Sequence, residues 1–321
     1  MRAVQVVETT GPEHLQVRDV EEPVPGPDDV LVEVHSVGTS FPDLLLSRGE
    51  YQLRPEPPFT LGVDFAGTVV SGPDGYAEGD RVVGVLPYGG AAERVVVPAQ
   101  FCFPLPDELS YDEGAALPMN YLTAHFALVE RGGLRVGETV LVHGAAGGVG
   151  TATLQVAKGL GARTIAVTST PEKADFARAA GADEAVLLDG FKDAVLGLTD
   201  GRGVDVVMDV VGGDAFTDSL RVLAPQGRLL VVGFAAGQGI PEVKVNRLLL
   251  NNVDVRGVGW GAYAMVRPGY MQQQWADLLP LVASGAVRPP VGATYPFEEF
   301  GRGLVDLHER RTLGKGVVHV R

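Results

Sequence analysis

"LVHGAAGGVG", residues Leu141 to Gly150, decides how the rest of the chain is read. An apolar run, Thr139-Val140-Leu141-Val142, enters a turn in which four of the seven residues 144–150 are glycine. The segment that follows, "TATLQVAKGLGA", has the spacing of an amphipathic helix. Gly144, Gly147, Gly148 and Gly150 thus fall between an expected strand and an expected helix, the context that a dinucleotide fingerprint requires. Glycine permits the tight turn. It also lets a pyrophosphate approach amide N–H groups at a helix N-terminus, where the macrodipole favours negative charge. The spacing departs from a strict G-x-G-x-x-G, so a purely structural turn is the competing reading. What lies on either side decides between them.

Downstream, "TIAVTS", "EAVLLD", "VDVVMDVVG", "GRLLVVGF" and "VDVRGVGW" read as buried strands, with helical segments between the early ones. Regular alternation of this kind implies a parallel, doubly wound sheet, because parallel neighbours need crossover connections. Five strands behind the glycine loop favour the nucleotide reading. Upstream the texture differs. Short β-like runs ("AVQVV", "LVEVHSVG", "AGTVVS", "DRVVGVL", "AERVVVP") are separated by Pro and Gly, as in an antiparallel, barrel-like β domain. After residue 263 come an expected helix ("QQQWADLLPLVASG"), then "FEEFGRGLVDLHERR" and a last strand, "GKGVVHV". The expected class is α/β, a Rossmann sheet plus a β-rich domain.

Composition excludes several functions. A chain of 321 residues with 45% hydrophobic content can bury a large core, and its net charge of -14 would repel nucleic-acid phosphates. No apolar run approaches the ~20 residues of a membrane span, and the N-terminal stretch lacks a signal-peptide core. Cys102 is the single cysteine, so neither an intrachain disulfide nor a multi-thiolate metal site is available. These features lead to the expectation of a soluble, cytoplasmic protein.

The end of the second Rossmann strand bears on the choice of nucleotide. NAD sites place an Asp or Glu there for the ribose hydroxyls. Here the segment is "AVTSTPEK", with Thr168, Ser169 and Thr170 at the strand end and Lys173 one turn into the next helix. Hydroxyls and a lysine would bind a 2′-phosphate that an acid would repel. The same residues also suit a helix cap, with Ser or Thr at the N-cap and Pro in the first turn. The two roles are compatible, and NADPH is the expected cofactor.

The chain resembles the zinc-independent quinone oxidoreductases (zeta-crystallin-like) of the medium-chain dehydrogenase/reductase superfamily. The likeness runs nearly end to end, through "VGTSFPDLLLSRGEYQ", "PFTLGVDFAGTVV", "GDRVVGV", "GGAAERVVVPA", "EGAALPMNYLTAHFAL", "GETVLVHGAAGGVGTATLQVAKGLGA", "GRGVDVVMDVVGG" and "GRLLVVGFAAG". It implies a GroES-like catalytic domain from residues 1–118 and 263–321, with a nucleotide-binding domain, 119–262, between them. It also implies a homodimer through the edge of the Rossmann sheet near Val253 to Gly259. On the cofactor side it points to Asn120 and Thr123 near the nicotinamide and to Gly148 and Val149 at the pyrophosphate. Val210, Gly212, Gly233 and Phe234 would end strands on the ligand edge. Leu188 stands where some relatives have a Tyr that contacts the 2′-phosphate.

Zinc enzymes of the superfamily carry a Cys in the segment matching "GTSFPD", a His where this chain has Val63, and a four-cysteine lobe. Ser40 and Val63 replace the first two, and no group of donors suits zinc. No metal is expected. Without that Lewis acid, hydride delivery to an already electrophilic quinone or α,β-unsaturated carbonyl is easier than alcohol oxidation. Tyr51, by resemblance, lies near the nicotinamide and would donate to the developing oxygen charge. Ser40 occupies the place of a frequent family Asn and is the second catalytic candidate. Asp43 matches a family Asp but reads as a helix cap. Two other functions fit the same residues: an enoyl thioester or alkenal double-bond reductase, and a non-catalytic, crystallin-like NADPH-binding protein.

Overall fold

The computed structural model describes residues 1–321, which divide into two compact units. One comprises Met1–Asn120, Gly269–Trp275 and Pro289–Arg321; the other comprises Tyr121–Pro268 and Ala276–Arg288.

In the second unit, six parallel strands form one sheet: Thr139–His143, Arg163–Thr168, Glu184–Leu187, Val204–Asp209, Leu223–Val231 and Asp254–Gly257. Numbered in that sequence, their spatial order is 3-2-1-4-5-6, with all neighbours parallel. This is the Rossmann order, and its reversal lies between Thr139–His143 and Val204–Asp209. Every residue of those two strands is buried, as expected for strands covered on both faces. Helices Gly148–Gly159, Pro171–Ala179, Phe191–Leu198 and Ala215–Arg221 make the crossovers. Leu141, Ile165, Val207, Phe216 and Leu229 anchor the core on one side of the sheet.

The tail departs from the sequence reading in one respect. Residues 263–268 and 276–288 join the nucleotide-binding unit, whereas the sequence reading groups everything from 263 onward with the first domain. Gln155 ties down the end of the second of these segments. Its amide donates to the Arg288 carbonyl at 2.9 Å and accepts the Arg288 N–H at 3.0 Å, a paired bond not visible in local periodicity.

The first unit is built on the ten-residue strand Asp29–Gly38. It pairs antiparallel with Asp64–Ser71, Arg94–Pro98 and the last strand, Lys315–His319. The resulting seven-stranded sheet runs from Val291–Pro296 at one end to Cys102–Pro104 at the other. A smaller sheet of Arg2–Val6, Gln16–Asp19 and Phe59–Thr60 shares its core, since Val4, Val6 and Phe59 cluster with Val32, Phe65 and Val318. The barrel-like expectation is thus met by two sheets around one core, without a closed ring of strands. The last strand returns to the middle of this sheet, Val317 opposite Gly38, and carries Lys315 into the interior.

Candidate active site

The glycine loop leaves the strand Thr139–His143 through Gly144, at φ +61° in the left-handed region that glycine tolerates. Gly147 donates its N–H to the Gly144 carbonyl at 3.0 Å and then serves as N-cap of the helix Gly148–Gly159. No side chain caps that helix, and no acid sits in its first turn. Its terminal amides are therefore left to another acceptor, and an anion suits them. Gly150 is required for a different reason. A Cβ there would lie 2.2 Å from the Gly144 carbonyl oxygen, so the helix packs directly on its own loop. Gly147, Gly148 and Val149 are half-buried at the C-terminal edge of the sheet.

The other cofactor candidates of the second unit reach the same edge. Val210 and Gly212 follow the strand Val204–Asp209; Gly233 and Phe234 follow Leu223–Val231. The two loops are joined by Ala235 N–H to the Val210 carbonyl (3.1 Å) and Ala236 N–H to the Val211 carbonyl (2.9 Å). Asp209 holds the first loop from beneath, one carboxylate oxygen accepting Val211 N–H at 2.9 Å and Gly212 N–H at 2.8 Å. At the end of the second strand, Thr168 is buried and donates to the Thr170 carbonyl (3.2 Å), while Ser169 is exposed. Thr170 caps the helix Pro171–Ala179 by accepting the Lys173 N–H at 3.3 Å. No carboxylate ends this strand, and Glu172 is exposed on the helix beyond it. Asn120 and Thr123 are both buried, one turn apart on the helix Pro118–His125.

In the first unit, Ser40 begins the helix Phe41–Ser47. Its N–H donates to Asp43 Oδ2 at 3.1 Å, while Asp43 Oδ1 accepts the Gly62 N–H at 2.9 Å. Asp43 is therefore a local cap, fully buried. Burial raises its pKa to about 7, against the opposing pull of the Gly62 N–H and of the Lys315 charge. The Ser40 hydroxyl is not open: it bonds Asp64 Oδ2 (3.0 Å) and accepts from Lys315 Nζ (2.7 Å). Lys315 Nζ also lies 2.6 Å from Asp64 Oδ2, and Asp64 Oδ1 accepts the Met119 N–H at 2.8 Å. Tyr51 is half-buried against the same core. Burial, with the charge of Asp43, raises its phenol above the usual value, which keeps it a proton-bearing donor.

Sequence reasoning passes over Lys315 and Asp64 as a pair. The available signal is a lysine opening a strand that otherwise reads as apolar, "KGVVHV", in a chain with few lysines.

A Rossmann sheet with an uncapped glycine helix at its switch point, joined in sequence to a GroES-like β domain, defines a dehydrogenase of the medium-chain type. Comparison with known proteins agrees. Residues 26–107 match the alcohol dehydrogenase GroES-like domain, and residues 148–284 match the zinc-binding dehydrogenase family. Quinone oxidoreductase-like protein 2 of Bos taurus is 38% identical over 311 residues, covering 94% of this chain and 89% of that protein. A probable oxidoreductase from Mycobacterium abscessus is 45% identical, with a TM-score of 0.91 over 99% of this chain and 98% of that one. The quinone oxidoreductase of Thermus thermophilus, solved also in complex with NADPH, is 36% identical with a TM-score of 0.87 over 100% of both chains. The chain belongs to the quinone oxidoreductase family of the medium-chain dehydrogenase/reductase superfamily, and it is an oxidoreductase of that family.

The name of the matched zinc-binding family raises the question of zinc in this chain. The donors do not fit that ion. Zinc sites draw on Cys, His and carboxylate ligands, whereas Ser40 and buried Val63 offer neither thiolate nor imidazole here, and the neighbouring Asp64 is already paired with lysine. Cys102 belongs to the core of the first unit, and burial pushes its thiol up to about 12. No group of three or more His, Cys, Asp or Glu side chains is arranged to hold a metal.

Proposed function

We propose that this chain transfers hydride from NADPH to a quinone or a similar electrophilic carbonyl compound, and that it does so without zinc. The observation that carries the proposal is the uncapped N-terminus of Gly148–Gly159 beside a strand end that offers hydroxyls and Lys173 in place of an acid. NADPH, when bound, supplies the hydride. The amides at Gly148 and Val149 hold the pyrophosphate, with Gly147 bordering it at the N-cap; Ser169, Thr170 and Lys173 hold the 2′-phosphate, with buried Thr168 fixing the strand end behind them. Val210, Gly212, Gly233 and Phe234 border the cofactor, and Asn120 and Thr123 orient the nicotinamide.

Tyr51 donates a hydrogen bond to the oxygen that gains charge as the acceptor is reduced, and its half-buried phenol carries the proton this requires. The Ser40 hydroxyl, fixed by Lys315 and Asp64, is a polar group of set orientation in the catalytic domain. The absence of zinc is supported by the replacement of its ligands. The edge strand Asp254–Gly257, unpaired on its outer side within this chain, supports a homodimer through Val253 to Gly259. A single buried, free cysteine is compatible with the cytoplasm. No helix is long and apolar enough to cross a membrane.

The test is a titration of purified protein with NADPH and with NADH, followed by addition of a quinone. Tighter binding of NADPH, and its oxidation on adding the quinone, are expected. Equal affinity for the two cofactors would remove the 2′-phosphate site from the proposal.

A further inference from the structure

In the interior of the first unit, Ser40, Asp43, Asp64 and Lys315 come together, brought by three separate segments of the chain. Two carboxylates there are fully buried, and Lys315 is the cation that faces them, with 5% of its side chain exposed. Its ammonium bonds oxygen from both Asp64 (2.6 Å) and Ser40 (2.7 Å), as a hard cation would. The backbone is shaped for it. A Cβ on Gly38, in the strand alongside, would lie 2.5 Å from Lys315 Cε and 2.4 Å from the Ala115 carbonyl oxygen, so glycine there leaves the lysine stem its path. Burying a long, flexible, strongly hydrated side chain is unfavourable unless its charge is matched. Here it is matched by Asp64 directly.

We propose that Lys315 is a resident cation that takes the place of a metal ion in the Ser40–Asp43–Asp64 pocket and bars divalent ions from it. The inference rests on the zinc-free reading above and gives it a specific determinant. On this account the pocket is closed by an internal positive charge carried in on the last strand; the missing Cys and His ligands are not the whole cause. Removing the ammonium leaves Asp64 Oδ2 and the Ser40 hydroxyl facing the vacated space, with both Asp43 oxygens held by the Ser40 and Gly62 N–H groups; two hard oxygen donors remain, around which water would complete the shell of Mn²⁺.

The test uses the full chain and Mn²⁺ as probe. Wild type, Lys315→Ala, Lys315→Arg and the double variant Lys315→Ala/Asp64→Asn are dialysed against Mn²⁺ and then washed. Bound metal is measured by elemental analysis and electron paramagnetic resonance, with thermal unfolding in Mn²⁺ and in EDTA alongside. Wild type and Lys315→Arg should hold none. Lys315→Ala should take up about one Mn²⁺ per chain and unfold at a higher temperature in Mn²⁺ than in EDTA; the double variant should lose both properties. Lys315→Met, which keeps most of the stem's packing, is scored in the same way in case the alanine variant folds poorly. Failure of both the alanine and the methionine variant to gain metal or stability in Mn²⁺ overturns the proposal, as does equal uptake by the double variant. Stoichiometric zinc in the wild type as purified would instead overturn the zinc-free reading itself. A metal-free wild type with inert Lys315 variants removes only the lysine's role.

Discussion

Gly147→Ala separates binding from folding. Gly147 has φ -92° and ψ 179°, a conformation alanine adopts freely, and a Cβ there would meet nothing nearer than the Gly144 carbonyl oxygen at 3.4 Å, an ordinary contact. Stability should therefore change by less than about 1 kcal/mol, with the restriction alanine places on the unfolded chain acting in favour of the fold. Binding should suffer. The new methyl stands at the N-cap, beside the amides assigned to the pyrophosphate, and displaces the anion from one or two of them. Hydrogen bonds to a charged acceptor contribute about 1.5–3 kcal/mol each, so a loss of ~2–4 kcal/mol is expected, a rise in Kd of roughly 30- to 1,000-fold. Gly150→Ala is the control. Its Cβ would lie 2.2 Å from one backbone atom and 2.7 Å from another, which cannot move independently, so this variant should lose stability as well as affinity. Calorimetric or fluorescence titration with NADPH, alongside thermal unfolding, reads both quantities. A Gly147→Ala protein that folds normally and binds NADPH within about threefold of wild type would refute the assignment of this loop to the pyrophosphate.

Lys173→Glu should weaken NADPH far more than NADH, because a charge-assisted contact to the 2′-phosphate becomes a repulsion; the difference should be ~2–4 kcal/mol in comparative titrations, and equal losses would dismiss the site. Tyr51→Phe keeps the ring and removes the donor, so kcat should fall with KM for NADPH nearly unchanged, by roughly 30-fold for an enone and less for a benzoquinone. Wild-type rates on both acceptors would make Tyr51 a packing residue. Asp43 predicts a pH dependence of stability. Burial raises its pKa from the ordinary 3.8 to about 7 on folding, so across that window the native state keeps a proton that the unfolded chain has released. Its contribution therefore becomes less favourable as pH rises through the window and levels off above it, by at most ~4 kcal/mol. Asp43→Asn should flatten that part of a denaturant-stability profile, and an unchanged slope would assign it to other groups.

The nucleotide-binding unit was legible because its signals are local. An all-buried strand, a glycine-rich turn and a helix follow one another within the single stretch 139–159, and Thr170-Pro171 announces its own cap. The strands of the first unit were legible for the same reason, although the short pieces Gln16–Asp19 and Phe59–Thr60 carry too little pattern to stand out. Contacts between distant segments were not legible. Lys315 meets Ser40 across 275 positions and Asp64 across 251, and nothing near any of the three residues signals the others. Ser40 read alone offers a hydroxyl with no partner in view; the structure gives one already engaged on both sides. Gln155 is a parallel case, a polar residue on a helix whose role in holding Arg288 appears only once residues 276–288 have folded back.

The central claim is hydride transfer from NADPH to an electrophilic acceptor without a metal. Its most direct measurement follows the absorbance of reduced nicotinamide in purified, chelator-dialysed protein, given NADPH and, in turn, a benzoquinone, a larger quinone and an enone, and in a separate run a simple alcohol with NADP⁺. The account predicts steady NADPH oxidation with the quinones, slower with NADH, undiminished by the chelator, and no reaction with the alcohol. No NADPH consumption above the uncatalysed rate with any quinone or enone, or activity that the chelator removes and zinc restores, would contradict it.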